Sequence, residues 1–301
     1  MKKTKKTKNP RVFAKASTQS RELSKALYNS NSIASLGTSY SYEASLKLAA
    51  EWLKKNGRGS LYELSPKSAM AYLRSRLSVV GQKTLDRDRQ ALQAVLRQNG
   101  RLTADQRLHI VEATRQQSLK SRNYTKAQID IICQHQSARN SFSTEIAFEA
   151  GLRAHELLTL LPASERPASE RPADLLKFRD GGSRYTVIGK GGLIREVRIS
   201  NELAVRLEST RLKAPIDRID RKIHYNMHYD IAGGQSWSQS FSSASKSALG
   251  YSTGGHGLRH TYAQDRNREA QRLTGDIQRA KEIVSQELGH FRPEITDTYL
   301  R

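Results

Sequence analysis

Apolar positions recur at helical spacing through the first third of the chain. SRELSKALY reads as a short helix, and SYEASLKLAAEWLKKNG places Leu46, Ala49, Ala50 and Leu53 on one stripe before stopping at Asn56-Gly57. Ser65 is a helix N-cap with Pro66 in the first turn, and Ala69, Met70, Leu73 and Leu77 follow on one face up to Gly81. TLDRDRQALQAVLRQ carries Leu85, Leu92, Val95 and Leu96 and ends at Asn99-Gly100. The early part of LTADQRLHIVEATRQQ permits a further helix, whereas SLKSRNY is polar and reads as a linker.

A second unit starts near Tyr124. TKAQIDIICQHQ and TEIAFEAGLRAHELLTL are helical, the latter interrupted at Gly151. PASERPASERPAD is a five-residue direct repeat whose prolines predict an exposed, non-helical excursion. RYTVI, then GKGG, then LIREVRIS alternates and turns at glycines, which predicts a β-hairpin with Lys190 at its tip. The pattern predicts helix over 203–224 with a break near Pro215, a segment poor in bulky apolar residues and partly mobile over 233–257, and helices from 256 onward. The fold class expected is therefore mainly α: a helical N-terminal bundle plus a mixed α/β domain with one small sheet. The domain reading is a basic flexible arm over 1–17, a helical domain over 18–110, a linker over 111–123 and a mixed domain over 124–301.

Charge narrows the partners. The chain has 301 residues, with 51 Lys and Arg against 29 Asp and Glu, a net charge of +22. Such an excess attracts polyanions over long range, and nucleic acid is the leading one. Residues 1–25 hold nine Lys or Arg and one acid, which suits an arm ordering on phosphates. No apolar run nears the ~20 residues that span a bilayer, and no apolar segment follows MKKTKKTKNP to make a secretory signal. Cys133 is the only cysteine, so an internal disulfide and a cysteine zinc finger are excluded, and a reducing, cytoplasmic, DNA-associated setting is expected.

One phenol and several cationic or proton-carrying groups form the candidate chemistry: Arg153 in GLRAHEL, Lys190 in VIGKGG, His256 and Arg259 in HGLRH, His290 in LGH, and Tyr299 nine positions later. Tyrosine, with a reference pKa near 10, suits a covalent phosphate ester. Two guanidinium groups can clamp a phosphorane. A hairpin lysine can protonate a leaving 5′ oxygen, with Lys177, Arg184 and Arg195 as alternatives, and histidines move protons near neutrality. No cofactor and no metal are called for.

GLRAHEL, HGLRH and LGH…Y resemble the tyrosine recombinases, the phage-type integrases, strongly over about 124–301 and weakly over about 18–98. The resemblance implies catalytic roles for Arg153, Lys190, His256, Arg259, His290 and Tyr299, with Glu156 as a buried supporting carboxylate. It implies a C-shaped clamp on duplex DNA, a homodimer per recombination site and a homotetramer in synapsis, assisted by an accessory directionality or DNA-bending protein. The implied reaction is site-specific recombination through a 3′-phosphotyrosyl intermediate, for a mobile element. Chromosome-dimer resolution, a type IB topoisomerase and a catalytically silent DNA-binding regulator are the alternatives. Two departures from the family pattern stand out. Arg259 and His290 lie 31 positions apart, more than in typical members, and only Leu300 and Arg301 follow Tyr299, where many relatives carry a coupling helix. Subunit contacts are then expected from the tyrosine segment, the PASER repeat, residues 231–255 or the front helices.

Overall fold

A computed structural model describes residues 13–115 and 120–301, so most of the expected basic arm and residues 116–119 of the linker lie outside the described residues. The chain divides into two units, Met1–Ser118 and Leu119–Arg301.

The first unit is all helical: α1 (Ala16–Asn29), α2 (Leu36–Lys55), α3 (Pro66–Arg74) and α4 (Gln82–Gln98). The apolar stripes read from the sequence meet in one core containing Leu27, Leu46, Leu53, Leu73, Leu92 and Leu96. Ser65 caps α3 by accepting from the Ser68 amide at 3.2 Å, and Pro66 occupies the first turn as expected. That helix stops at Arg74 instead of continuing to Gly81, and residues 75–79 form turns. Residues 103–113 form no helix. Side chains of α4 hold them as a strap: Arg97 donates to the carbonyls of Ala104 and Gln106, and Gln93 Oε1 accepts from the Leu108 amide at 2.9 Å. The strap's Leu108 fills the bundle core, so burial of one leucine replaces a helical ladder.

The second unit contains α5 (Lys126–Gln134), α6 (Ala138–Glu149), strands β1 (Leu161–Pro162), β2 (Ser183–Ile188) and β3 (Ile194–Ile199), then α7 (Asn201–Ser209). Strands β4 (Arg211–Asp220) and β5 (Ile223–Tyr229) follow, and α8 (Gly234–Leu249), α9 (His256–Thr274), α10 (Ile277–Glu287) and α11 (Pro293–Thr296) complete it. A three-stranded antiparallel sheet runs β1-β2-β3, with Tyr185 opposite Val197 and Val187 opposite Arg195. Its inner face joins Ile129, Ile146, Trp237, Phe241 and Leu258 in the main core.

Three expectations are corrected. The helix expected over 203–224 ends at Ser209, and the rest is a second hairpin, β4-β5, pairing Ile216 with Met227 and Asp220 with Ile223. Pro215 sits where the register shifts, between Arg211 and Ile216, the position a ladder tolerates a missing amide. The serine-rich segment thought partly mobile is the four-turn helix α8, which buries Trp237, Phe241, Ala244 and Ser245 at helical spacing. The PASER repeat is only partly an excursion. Arg166 folds back, donating to the Thr186 hydroxyl at 3.0 Å and its carbonyl at 2.8 Å, and Ser169 donates its amide to Ile194 at 2.9 Å.

Candidate active site

Two glycines shape the walls. Gly151 ends the α6 turn at φ +58°, and a Cβ there would lie 2.7 Å from Tyr262 Cδ1. Gly289 reverses the chain after α10 at φ +70°, with Arg195 Cδ 2.9 Å from its absent Cβ. Both positions need glycine for conformation and for space. The chain just beyond each delivers Arg153 and His290.

Glu156 is the hub. It is fully buried at the start of a short 3₁₀ turn, Glu156–Thr159. Its carboxylate accepts from the Arg153 amide at 2.8 Å, Arg153 Nη1 at 2.7 Å and Arg195 Nη2 at 2.7 Å, with Arg259 Nη1 at 3.7 Å. Burial by itself would raise this carboxyl, but Arg195, Arg259 and Arg153 outweigh it and hold it far below the usual range. Arg259 is likewise fully buried. It donates to the carbonyls of Gly151 and Leu288, both at 2.6 Å. Three guanidinium groups thus surround one carboxylate, leaving about two positive charges uncompensated beside a partly open surface, which is an anion site by its electrostatics.

Tyr299, 5% exposed, points its hydroxyl into this cluster. The Oη lies 3.1 Å from His290 Nε2 and 3.4 Å from Arg259 Nε. His290 Nε2 is also 3.4 Å from Nη2 of Arg153 and of Arg259. Arginine only donates, so the geometry suits an unprotonated Nε2. Burial, then Arg259 and Arg153, push the His290 imidazole down to about 3, so it is neutral near pH 7. His256, the first residue of α9, sits with its ring 5.7 Å from that of Tyr299, and burial followed by Arg259 lowers it to about 3 as well.

The structure brings Arg153, Glu156, His256, Arg259, His290 and Tyr299 together. It does not bring Lys190 in. That side chain is exposed in the Lys190–Gly192 turn at the hairpin tip, and among the described residues no hydrogen bond or ion pair ties it to the cluster. Of the alternatives to it, Arg184 pairs outward with Glu196 at 2.8 Å, and Lys177 lies over the Phe178 ring at 4.9 Å. Arg195 is committed to Glu156 and to the Glu287 carbonyl at 2.8 Å, a supporting role that strand alternation alone did not reveal. His260, expected only to pack or to face DNA, has its ring 4.9 Å from that of Tyr299. Its place one turn after His256, i+4 on α9, is the signal that could have found it. Gln264, one turn further, donates to the carbonyls of Tyr299 and Arg301, both at 2.9 Å, and pins the segment. The rival Tyr262 is engaged elsewhere, donating to Glu287 at 2.8 Å. Among the described residues no group of three His, Cys, Asp or Glu converges to hold a metal ion, and no helix is long and apolar enough to cross a membrane.

No family model matches the chain, and no curated protein matches it. Solved structures do. A XerH site-specific recombinase bound to difH substrate aligns at 16% identity and TM-score 0.56 over 95% of this chain and 81% of that one. A lambda integrase tetramer bound to a Holliday junction aligns at 16% identity and TM-score 0.58 over 94% and 76%. The Tn1549 transposon integrase with transposon right end DNA aligns at 14% and TM-score 0.56 over 94% and 95%. Likeness at such low identity speaks for architecture, and the conclusion is that this chain has the fold of the tyrosine recombinases.

Proposed function

We propose that this protein cuts and rejoins duplex DNA site-specifically through a tyrosyl ester. The observation that carries the reading is the Tyr299 hydroxyl 3.1 Å from His290 Nε2 and 3.4 Å from Arg259 Nε. The scissile phosphate sits against Arg153, whose half-buried guanidinium reaches a non-bridging oxygen, and the buried Arg259 adds positive charge from beneath while its nitrogens hold the Gly151 and Leu288 carbonyls. Tyr299 Oη attacks phosphorus, its proton passes to the neutral His290 Nε2, whose basicity rises once the phosphate's charge offsets Arg259 and Arg153, and the phosphorus–O5′ bond breaks. The product is a 3′-phosphotyrosyl ester with a free 5′-hydroxyl, whose proton comes from Lys190 when the hairpin tip closes on DNA. His256 hydrogen-bonds the phosphate. Attack by a 5′-hydroxyl of a partner duplex reverses the steps and exchanges strands. Structures of the same fold bound to a recombination substrate, a core site and a Holliday junction support DNA as the substrate and assembly as dimers and tetramers. The transposon and phage integrases among them support a mobile-element role.

Nicked suicide duplexes carrying the DNA that flanks the gene test this. Wild-type protein is expected to form an SDS-resistant adduct, and Tyr299→Phe to bind the same duplex without forming one. An adduct that persists in Tyr299→Phe removes the assignment. Binding with no adduct from the wild type supports a silent regulator, and rapid plasmid relaxation by a monomer supports a topoisomerase.

A further inference from the structure

The β4-β5 ribbon has no part in the site just described, and its outer edge is open. Residues 211–224 are exposed apart from Leu212 and Asp220, which are half-buried. Ile216, Ile219 and Ile223 are 46%, 57% and 38% exposed, an unusual display for β-branched side chains in a strand. Among the described residues no backbone hydrogen bond outside the β5 ladder reaches residues 212–220. The turn consists of Arg221 and Lys222 at φ +49° and +64°, a two-residue reversal that makes Asp220 and Ile223 the closing pair. Hydrogen-bonded and open pairs alternate from there, so Asp220, Arg218 and Ile216 face β5. Asp217 and Ile219 turn their amides and carbonyls to the outer edge.

That edge reads Asp217-Arg218-Ile219-Asp220-Arg221, and it is complementary to itself when two copies run antiparallel about Ile219. Asp217 then faces Arg221 of the second copy, Arg218 faces its Asp220, and Ile219 packs on its equivalent. Ile219, whose backbone groups are open, meets its equivalent in this register, while Asp217 meets Arg221, which lies in the turn at φ +49° and offers its side chain. Register and charge therefore agree, which a one-residue slip would destroy. Asp217 now accepts from His224 Nδ1 at 2.7 Å, and Asp220 Oδ1 from the Gln235 amide at 2.7 Å. Asp217 retains an oxygen for a partner, whereas Asp220 Oδ2 lies 4.0 Å from Nε of its own Arg221, which also donates to Gln235 Oε1, so those contacts exchange for contacts with the second copy. Residues 211–222 carry Arg211, Lys213, Arg218, Arg221 and Lys222 against Asp217 and Asp220, so the choice of a second copy over a polyanion rests on the register in which both aspartates meet arginines. The geometry points to the β4 edge as a homotypic docking surface, on which a second copy of this chain adds its own β4 as an antiparallel strand. This surface was not among those expected to mediate assembly, and it is independent of the DNA reaction.

Sedimentation velocity on the full chain without DNA, across about 1–200 µM, tests it. The wild type is expected to dimerise with a Kd on the order of 10–100 µM, fitting a contact smaller than a standard interface. Asp217→Arg or Arg221→Asp alone sets like charges opposite each other twice by symmetry, and is expected to weaken the dimer about tenfold or more. The double variant Asp217→Arg/Arg221→Asp restores complementarity and is expected to recover the wild-type Kd. Both sites are exposed, and aspartate tolerates the positive φ at 221, so folding is preserved and checked by circular dichroism. Ile219→Pro removes the central edge amide and leaves the β5 ladder intact, and it is expected to abolish dimerisation. A wild type monomeric at 200 µM overturns the proposal, as does a double variant no tighter than the singles. Variants that change duplex binding and leave self-association alone overturn it in favour of a DNA contact.

Discussion

Replacing Glu156 by glutamine removes one charge and almost no volume. The carboxylate accepts from the Arg153 amide and guanidinium and from Arg195, with Arg259 at 3.7 Å, and it is fully buried. Glutamine keeps one carbonyl acceptor but aims an NH₂ at a guanidinium and leaves Arg195 and Arg259 buried without a counter-charge. Breaking a buried ion pair from one side costs about 3–5 kcal/mol. The unit from 119 to 301 has a urea m value of about 2 kcal/mol/M, so its midpoint is expected to fall by about 1.5–2.5 M. Trp237 is buried in this unit and Trp52 lies in the other. Fluorescence in a Trp52→Phe background therefore follows the relevant transition alone, and urea leaves ion pairs unscreened where guanidinium chloride would not. Glu145→Gln breaks an exposed pair with Arg206 and serves as the control, with an expected loss below about 1 kcal/mol. A Glu156→Gln midpoint within about 0.5 M of the parent would refute the claim that this carboxylate holds the arginine cluster together.

The remaining expectations concern titration and backbone. Burial lowers His256 and His290 to about 3 and His260 to about 4. Between those values and about 6.5 the unfolded chain binds protons that the folded chain refuses, so this stability is complete above pH 6.5 and is lost on acidification. Each histidine contributes at most about 1.4 kcal/mol per pH unit, less for the half-exposed ones. Glu156 loses its share only below about 4.5, so midpoints at pH 7.5, 6.0 and 5.0 isolate the histidines, and a flat profile contradicts their depressed state. Gly151→Ala meets both a positive φ and the Tyr262 ring, and is expected to cost about 1–3 kcal/mol. Thermal unfolding checks it, and a loss under about 0.5 kcal/mol would show that Tyr262 moves aside.

Where local spacing dictates local structure, the sequence was readable. The stripes of α2 and α4, the Ser65-Pro66 start and the β2-β3 hairpin follow from side-chain period and turn chemistry. The misread segments lacked those cues. RLKAPIDRIDRKIHYNMHY carries charges on both faces and turns on Arg-Lys, without the glycine or asparagine that normally marks such a reversal. In α8 the serines hide the pattern, because small polar residues lie between Trp237, Phe241 and Ala244. Ser242 settles into the helix by donating to the Ser238 carbonyl at 2.8 Å. For the site, motif spacing picked out six residues that the fold gathers, but it could not separate Lys190 from the cluster or give Arg195 and His260 their places.

By itself the sequence determined the two-unit chain of amphipathic helices, the hairpin, the basic character and the residue types able to attack a phosphodiester, since period, capping and charge are local properties. Only the tertiary structure decided that Glu156 gathers Arg153, Arg195 and Arg259, that Gln264 holds the Tyr299 segment, and that β4 presents an unpaired edge. The contacts of Arg195, Arg259 and Gln264 join residues 35 to more than 100 positions apart. Their energies arise from burial and opposite charge brought close by the whole fold.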